Sequence, residues 1–189
     1  MRTAHAALPL VAALLGACGQ PFLSAQLEVP EIRITSPSRS FPATNPTPTD
    51  LCAGVAGCLA SDVSYDLGDA VPVLGEKGIT FDLRLTDVAL RLDSGAADLG
   101  GVNAARVILQ DPGGGSTLVA SYVKLTGATP SRIEVSANSN IDLGPYLSDG
   151  KIAARVEIDY DTTTPPPDFT ADVEAGFSLV VTVEYDAYF

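Results

Sequence analysis

Apolar and polar residues alternate with period two along most of this chain. Ile79, Phe81, Leu83 and Leu85 interleave with Thr80, Asp82, Arg84 and Thr86, and the apolar set then moves to Val88, Leu90 and Leu92. Side chains point to alternate faces of a strand, so this one-residue change of phase predicts a β-bulge or bend near Thr86-Asp87. Ile152, Ala154, Val156, Ile158 and Tyr160 form an apolar row opposed to Lys151, Arg155, Glu157 and Asp159, a half-buried strand with its charges in solvent. Phe177, Leu179, Val181, Val183 and Tyr185 repeat the pattern, and Val180 on the other face marks a more central strand. Shorter runs at 26–35, from Val63 onward, and at 105–110, 117–125 and 133–135 read as further strands. No window of the length of a surface helix shows a 3.6-residue period.

The punctuation between these runs fits the same class. Asp111-Pro112-Gly113-Gly114-Gly115-Ser116 is rich in residues that tolerate positive φ and reads as a hairpin turn. It lacks the Gly-Lys-Ser/Thr ending of a phosphate loop and opens a strand rather than a helix. Pro145 within Ile141–Leu147 suits the first position of a single helical turn. About eight short strands with one apolar face each and Gly/Pro/Asp turns indicate an all-β, antiparallel β-sandwich, immunoglobulin-like or Greek-key. The Cys-Trp-Cys signature of true immunoglobulin domains is missing, since the chain has no tryptophan. Residues 36–50 carry Pro37, Pro42, Pro46 and Pro48, which argues against a regular ladder and for a long loop pinned by Phe41.

The first residues follow another rule. Arg2 precedes an apolar run from Ala6 to Leu15, too short to span a bilayer, and Leu15-Gly16-Ala17-Cys18 follows. This resembles the lipobox of bacterial lipoproteins: a hydrophobic residue and two small ones before the cysteine that becomes N-terminal and lipidated. The resemblance covers residues 1–18 and implies a cleaved signal peptide at 1–17 and acyl chains such as palmitate on Cys18. Two or three chains, at about 0.8 kcal/mol per buried methylene, give stable anchoring. It further implies a place in the bacterial cell envelope, while the position of the first strand-like run and the length of the remainder predict a short membrane tether at 18–25 and a single domain at 26–189. Gly19 stands where enterobacterial lipoproteins kept at the inner membrane tend to carry Asp, so the outer membrane is the expected address.

Charge and cysteine content narrow the chemistry. Eleven Lys and Arg, including Arg2, stand against 23 Asp and Glu, so the mature chain carries a formal charge of −13. Such a surface repels nucleic acid and anionic headgroups, leaving the lipid as the membrane contact and an envelope protein as the natural partner. The single histidine, His5, leaves with the signal. Histidine triads, Cys-His dyads and histidine zinc sites are thereby excluded from the mature protein, and no cofactor or small-molecule substrate is indicated. Cys52 and Cys58 form an even pair in an exported chain and are expected to make a disulfide. Gly54 and Gly57 allow the required tight loop, within a Pro-rich, disulfide-tied insertion at 36–60. The competing readings are two free thiols on a short helix and half of a metal site lacking further soft ligands.

Acidic residues gather at Asp62, Asp66 and Asp69, and at Glu157, Asp159 and Asp161 with Asp168, Asp172 and Glu174. Oxygen-rich loops at sandwich ends can bind calcium, which makes Asp159, Asp161 and Asp168 weak candidates, although neither cluster matches an EF-hand. The sequence thus points to a lipid-anchored, non-catalytic envelope protein with a binding or structural role. Two other readings follow from separate features. The alternating strand ending at Phe189 resembles the closing strand of outer-membrane β-barrels. Paired carboxylates, or a Ser-Lys arrangement using Lys77, Lys124 or Lys151, would suit a hydrolase.

Overall fold

The computed structural model describes residues 22–41, 58–68, 79–110, 114–127, 129–161 and 168–186. Its strands are β1 (Phe22–Phe41), β2 (Cys58–Asp66), β3 (Ile79–Ser94), β4 (Val102–Gln110), β5 (Ser116–Val123), β6 (Arg132–Ala137), the two-residue β7 (Leu147–Ser148), β8 (Lys151–Tyr160) and β9 (Phe169–Asp186). All pairings are antiparallel, in the order β1-β9-β3-β6-β5-β4-β8-β2, with β7 on β8.

The short strand β6 is the corner. Ile133 and Val135 pair with Leu90 and Val88 of β3, while Ser136 and Ala137 pair with Ser121 and Ala120 of β5. The ladder therefore folds into two packed layers, β1-β9-β3-β6 and β5-β4-β8-β2, and its outer edges β1 and β2 meet at the far side. The period-two rows supply the space between. Leu83, Leu85, Val88 and Leu90 of β3 and Phe177, Leu179 and Val181 of β9 share one core with Val107 and Leu109 of β4 and Ile152, Val156 and Ile158 of β8. Tyr65 of β2 meets Phe177 edge-on at 5.7 Å between ring centroids, joining the layers.

The expected bulge is present: the β3–β9 register shifts between Leu85 and Asp87. Opposite it lies Gly176, where a Cβ would stand 2.5 Å from Asp87 Oδ2 and 2.7 Å from Thr86 Oγ1. The single helical turn is a 3-10 turn at Gly144–Tyr146, with Pro145 inside it. Val180 belongs to a central strand, since β9 pairs with both β1 and β3.

Three expected boundaries are corrected. β1 begins at Phe22, paired with Asp186, inside the stretch expected to be tether, and it continues beyond 35 to Phe41. Pro37 fits because the β1–β9 register shifts between Ser36 and Arg39, so the missing N–H costs no ladder bond; Ser38 takes φ +48° there. The N–H of Ser38 donates to Asp172 Oδ1 at 2.9 Å. At the other side, Cys58 to Ala60 are strand residues of β2 rather than loop. Phe41 does pin the chain: it is fully buried and stacked on Phe169 at 5.0 Å.

The sandwich expected from the pattern is the architecture found, with Greek-key rather than immunoglobulin connectivity. Two four-stranded layers in the orders β1-β9-β3-β6 and β2-β8-β4-β5 make a double Greek key, a jelly roll.

Candidate functional site

An antiparallel jelly roll sorts its connections to two ends. The links β1–β2, β3–β4, β5–β6 and β8–β9 lie at one end, and β2–β3, β4–β5 and β6–β8 at the other. Phe22, the first residue of β1, belongs to the second end, beside Asp186 and near Ile79. Gly19, Gln20 and Pro21 separate it from Cys18, a reach of about 10–14 Å. The first end is knit by hydrogen bonds to backbone carbonyls. Leu99 N–H donates to Pro130 O at 2.9 Å, Asp161 N–H to Gly101 O at 2.8 Å, and Lys124 Nζ to Gly100 O. Gly101 lies under the Tyr160 ring, where a Cβ would come within 2.1 Å. Burial, then Asp98 and Asp161, raise the Tyr160 hydroxyl above its ordinary value. Val123 and Leu125, the most exposed large apolar side chains described, sit at this end.

The densest chemistry lies on the face of β2-β8-β4 turned away from the core. Register sets Cys58 opposite Asp159, Ala60 opposite Glu157 and Asp62 opposite Arg155, and on the other side of β8 it sets Arg106 opposite Glu157. Arg106 Nη2 donates to Asp159 Oδ1 at 2.6 Å and lies 3.9 Å from Cys58 Sγ. Arg155 Nη1 donates to Asp62 Oδ1 at 3.1 Å. Glu157 lies between the two cations, 3.6 Å from Arg155 Nε and 3.9 Å from Arg106 Nε. The sequence expects Glu157 in solvent. It is instead fully buried, and Cys58, Ala60 and Ile108 on the same face are largely buried with it. Ala60 and Arg106 stand directly across from it on the two neighbouring strands. Desolvation pushes its pKa above the usual carboxylate value, with Arg106 and Arg155 opposing and Asp159 reinforcing. The alternation along β8 reveals these charges, but not that Glu157 is buried among them.

The cysteines and acids fall as follows. Cys58 is disulfide-bonded; Cys18 and Cys52 lie outside the described residues. Of the calcium candidates, Asp159 is held by Arg106, Asp161 is tied through its N–H to Gly101, and Asp168 presents its carbonyl oxygen to Gly95. Among the described residues no three His, Cys, Asp or Glu side chains are grouped as metal ligands. Lys151, cross-strand from Ser148, pairs with Asp66 at 3.2 Å and Lys124 Nζ donates to a backbone carbonyl, while Lys77 lies outside the described residues.

No known protein family matches the chain, and no curated protein resembles it in sequence. Among solved structures, one of Desmodium yellow mottle tymovirus is similar over 94% of this chain and 96% of its own, at 9% identity and a TM-score of 0.28. An unassembled pentamer of Washington University polyomavirus VP1 covers 92% and 97%, at 9% identity and a TM-score of 0.26. Protein SO0799 from Shewanella oneidensis covers 79% of this chain and 65% of its own, at 14% identity and a TM-score of 0.16. At these scores the likenesses carry no functional inference.

Proposed function

We propose that the chain is a lipid-anchored, non-catalytic protein of the bacterial envelope that holds a jelly roll upright on the membrane and presents its far end to an envelope partner. The observation carrying this reading is the position of Phe22. The lipobox cysteine precedes β1 by Gly19, Gln20 and Pro21 alone, so the end bearing the β2–β3, β4–β5 and β6–β8 links stands next to the lipid. β1 then runs through 20 residues to Phe41, about 60 Å if straight. The links β1–β2, β3–β4, β5–β6 and β8–β9 are thereby carried away from the bilayer, where exposed loops on a rigid scaffold serve recognition. The apolar rows of β8 and β9 are buried in the shared core, the reverse of a membrane barrel, whose apolar rows face lipid. This supports a sandwich on the membrane over a barrel through it.

Cells expressing the full chain and fed an alkynyl fatty acid should label the wild type and leave Cys18→Ala unlabelled. The wild type should fractionate with membranes and the variant should not. Absence of label from the wild type, or equal label in both, overturns the anchor.

A further inference from the structure

We propose that the first part of β1, Phe22 to Val29, is a releasable strap that leaves β9 as a unit while the chain from Ile32 onward stays in the sandwich. β1 ends the strand order, so β9 is its ladder partner on one side and its other edge is unpaired among the described residues. The two parts of the strand are held very differently. Ala25, Gln26, Leu27 and Glu28 are all exposed, Leu27 to 45%. Successive side chains of a strand point to opposite faces, so both faces of this stretch are open to solvent. Within 25–29 only Val29 packs against the core, and among the described residues no side chain of that stretch makes a hydrogen bond or ion pair. The later part is tied down side chain by side chain. Ile32 and Ser36 are buried, Arg33 Nη1 donates to Asp87 Oδ1 at 3.0 Å, and Phe41 stacks on Phe169.

A hinge lies between the two parts. The β1–β9 register runs unbroken from Phe22–Asp186 to Val29–Leu179 and resumes at Ile32–Phe177, so Pro30 and Glu31 stand opposite Ser178 alone. Pro30 has no N–H to bond, and the ladder is already interrupted there. Release of the strap leaves β9 supported, because residues 179 to 183 remain paired with β3 from Leu83 to Ile79. A segment with few buried apolar contacts and solvent-open ladder bonds sits at the low end of local stability, and freeing it returns backbone entropy. The consequence rests on the proposed anchor at Cys18. With the strap paired, Gly19 to Pro21 separate the lipid from the sandwich. With the strap free, Gly19 to Val29 do, a reach of about 40 Å. The same chain then holds its partner-facing end at two distances from the bilayer.

The experiment is hydrogen exchange followed residue by residue on the full-length chain carrying Cys18→Ala, so its outcome stands apart from that of the acylation test. Ladder amides between 23 and 29 should exchange at least about 100-fold faster than those between 32 and 36. Low urea should leave the faster rates unchanged, because a local opening exposes little new surface. Val29→Ser, which removes the core contact of the strap, should speed exchange at 23–29 about ten-fold and leave the β3–β9 ladder as protected as before. Equal protection of the two parts of β1 overturns the proposal. So does exchange at 23–29 that rises with urea in step with the core, or a Val29→Ser variant in which both parts loosen together.

Discussion

At the residue scale, Glu157 shows how a charge on an outward row can still be a buried group. Its carboxyl is raised above the ordinary value chiefly by desolvation, so the folded protein holds that proton to higher pH than the unfolded chain does. The stability this group contributes is therefore fully present below the unfolded value and is lost as pH rises through the raised folded value. Glu157→Gln removes the ionisation while keeping the shape. Arg106 retains Asp159 and Arg155 retains Asp62, so neither cation is stranded. Melting temperatures of the two proteins should coincide at low pH and diverge as pH rises, the variant becoming the more stable form at pH 7. A variant less stable at pH 7 than at pH 4, relative to wild type, would show that the ion pairs outweigh the desolvation. Nothing in the alternation Arg155, Glu157, Asp159 announces this enclosure. It depends on Ala60 and Arg106 arriving beside Glu157 from strands distant in the sequence, and a single strand's pattern carries no cross-strand register.

At the scale of elements, the sequence is legible where each strand obeys its own period. The bulge at Leu85–Asp87, the central place of β9 and the 3-10 turn at Pro145 follow from local pattern alone. The ends of β1 do not, because prolines near 36–50 argue against a ladder that a second bulge in fact accommodates. Links between strands are likewise set by contacts the pattern omits. Gly95, just past β3, has φ +91°, and a Cβ there would lie 2.3 Å from Asp168 O and 2.8 Å from Phe169 Cα. These are backbone atoms at the start of β9 and cannot swing aside. Gly114 also has positive φ, +88°, but a Cβ there meets nothing within 4 Å. Gly114→Ala should therefore cost only the conformational penalty, about 1 kcal/mol. Gly95→Ala should cost that and a backbone displacement, at least about 2 kcal/mol more. Urea unfolding of both variants compares them directly, and equal losses would mean that the β3–β4 link does not press on β9. Phe169→Ala, which removes the ring stacked on Phe41 at the same end, should cost about 3–5 kcal/mol.

At the scale of the whole molecule, the chain's pattern specifies a sandwich but not its strand order. Which apolar rows face each other is decided by pairings such as β1 with β9 and β2 with β8, whose partners are far apart in the chain. That order assigns each link to an end, and the proposed anchor at Cys18 would set one of those ends against the membrane. The resulting orientation can be measured because the chain has no tryptophan. A single tryptophan placed by substitution reports alone. Ala25 is exposed near the start of β1, whereas Leu125 is 77% exposed at the opposite end. In the chain acylated as proposed and reconstituted into vesicles containing dansyl-labelled headgroups, Ala25→Trp should transfer energy strongly to the lipid. Leu125→Trp should transfer little, being separated from the bilayer by most of the length of β1. Transfer from both positions to the same degree would mean that the sandwich lies flat on the membrane, with its β1–β2, β3–β4, β5–β6 and β8–β9 links no more available to a partner than the rest of its surface.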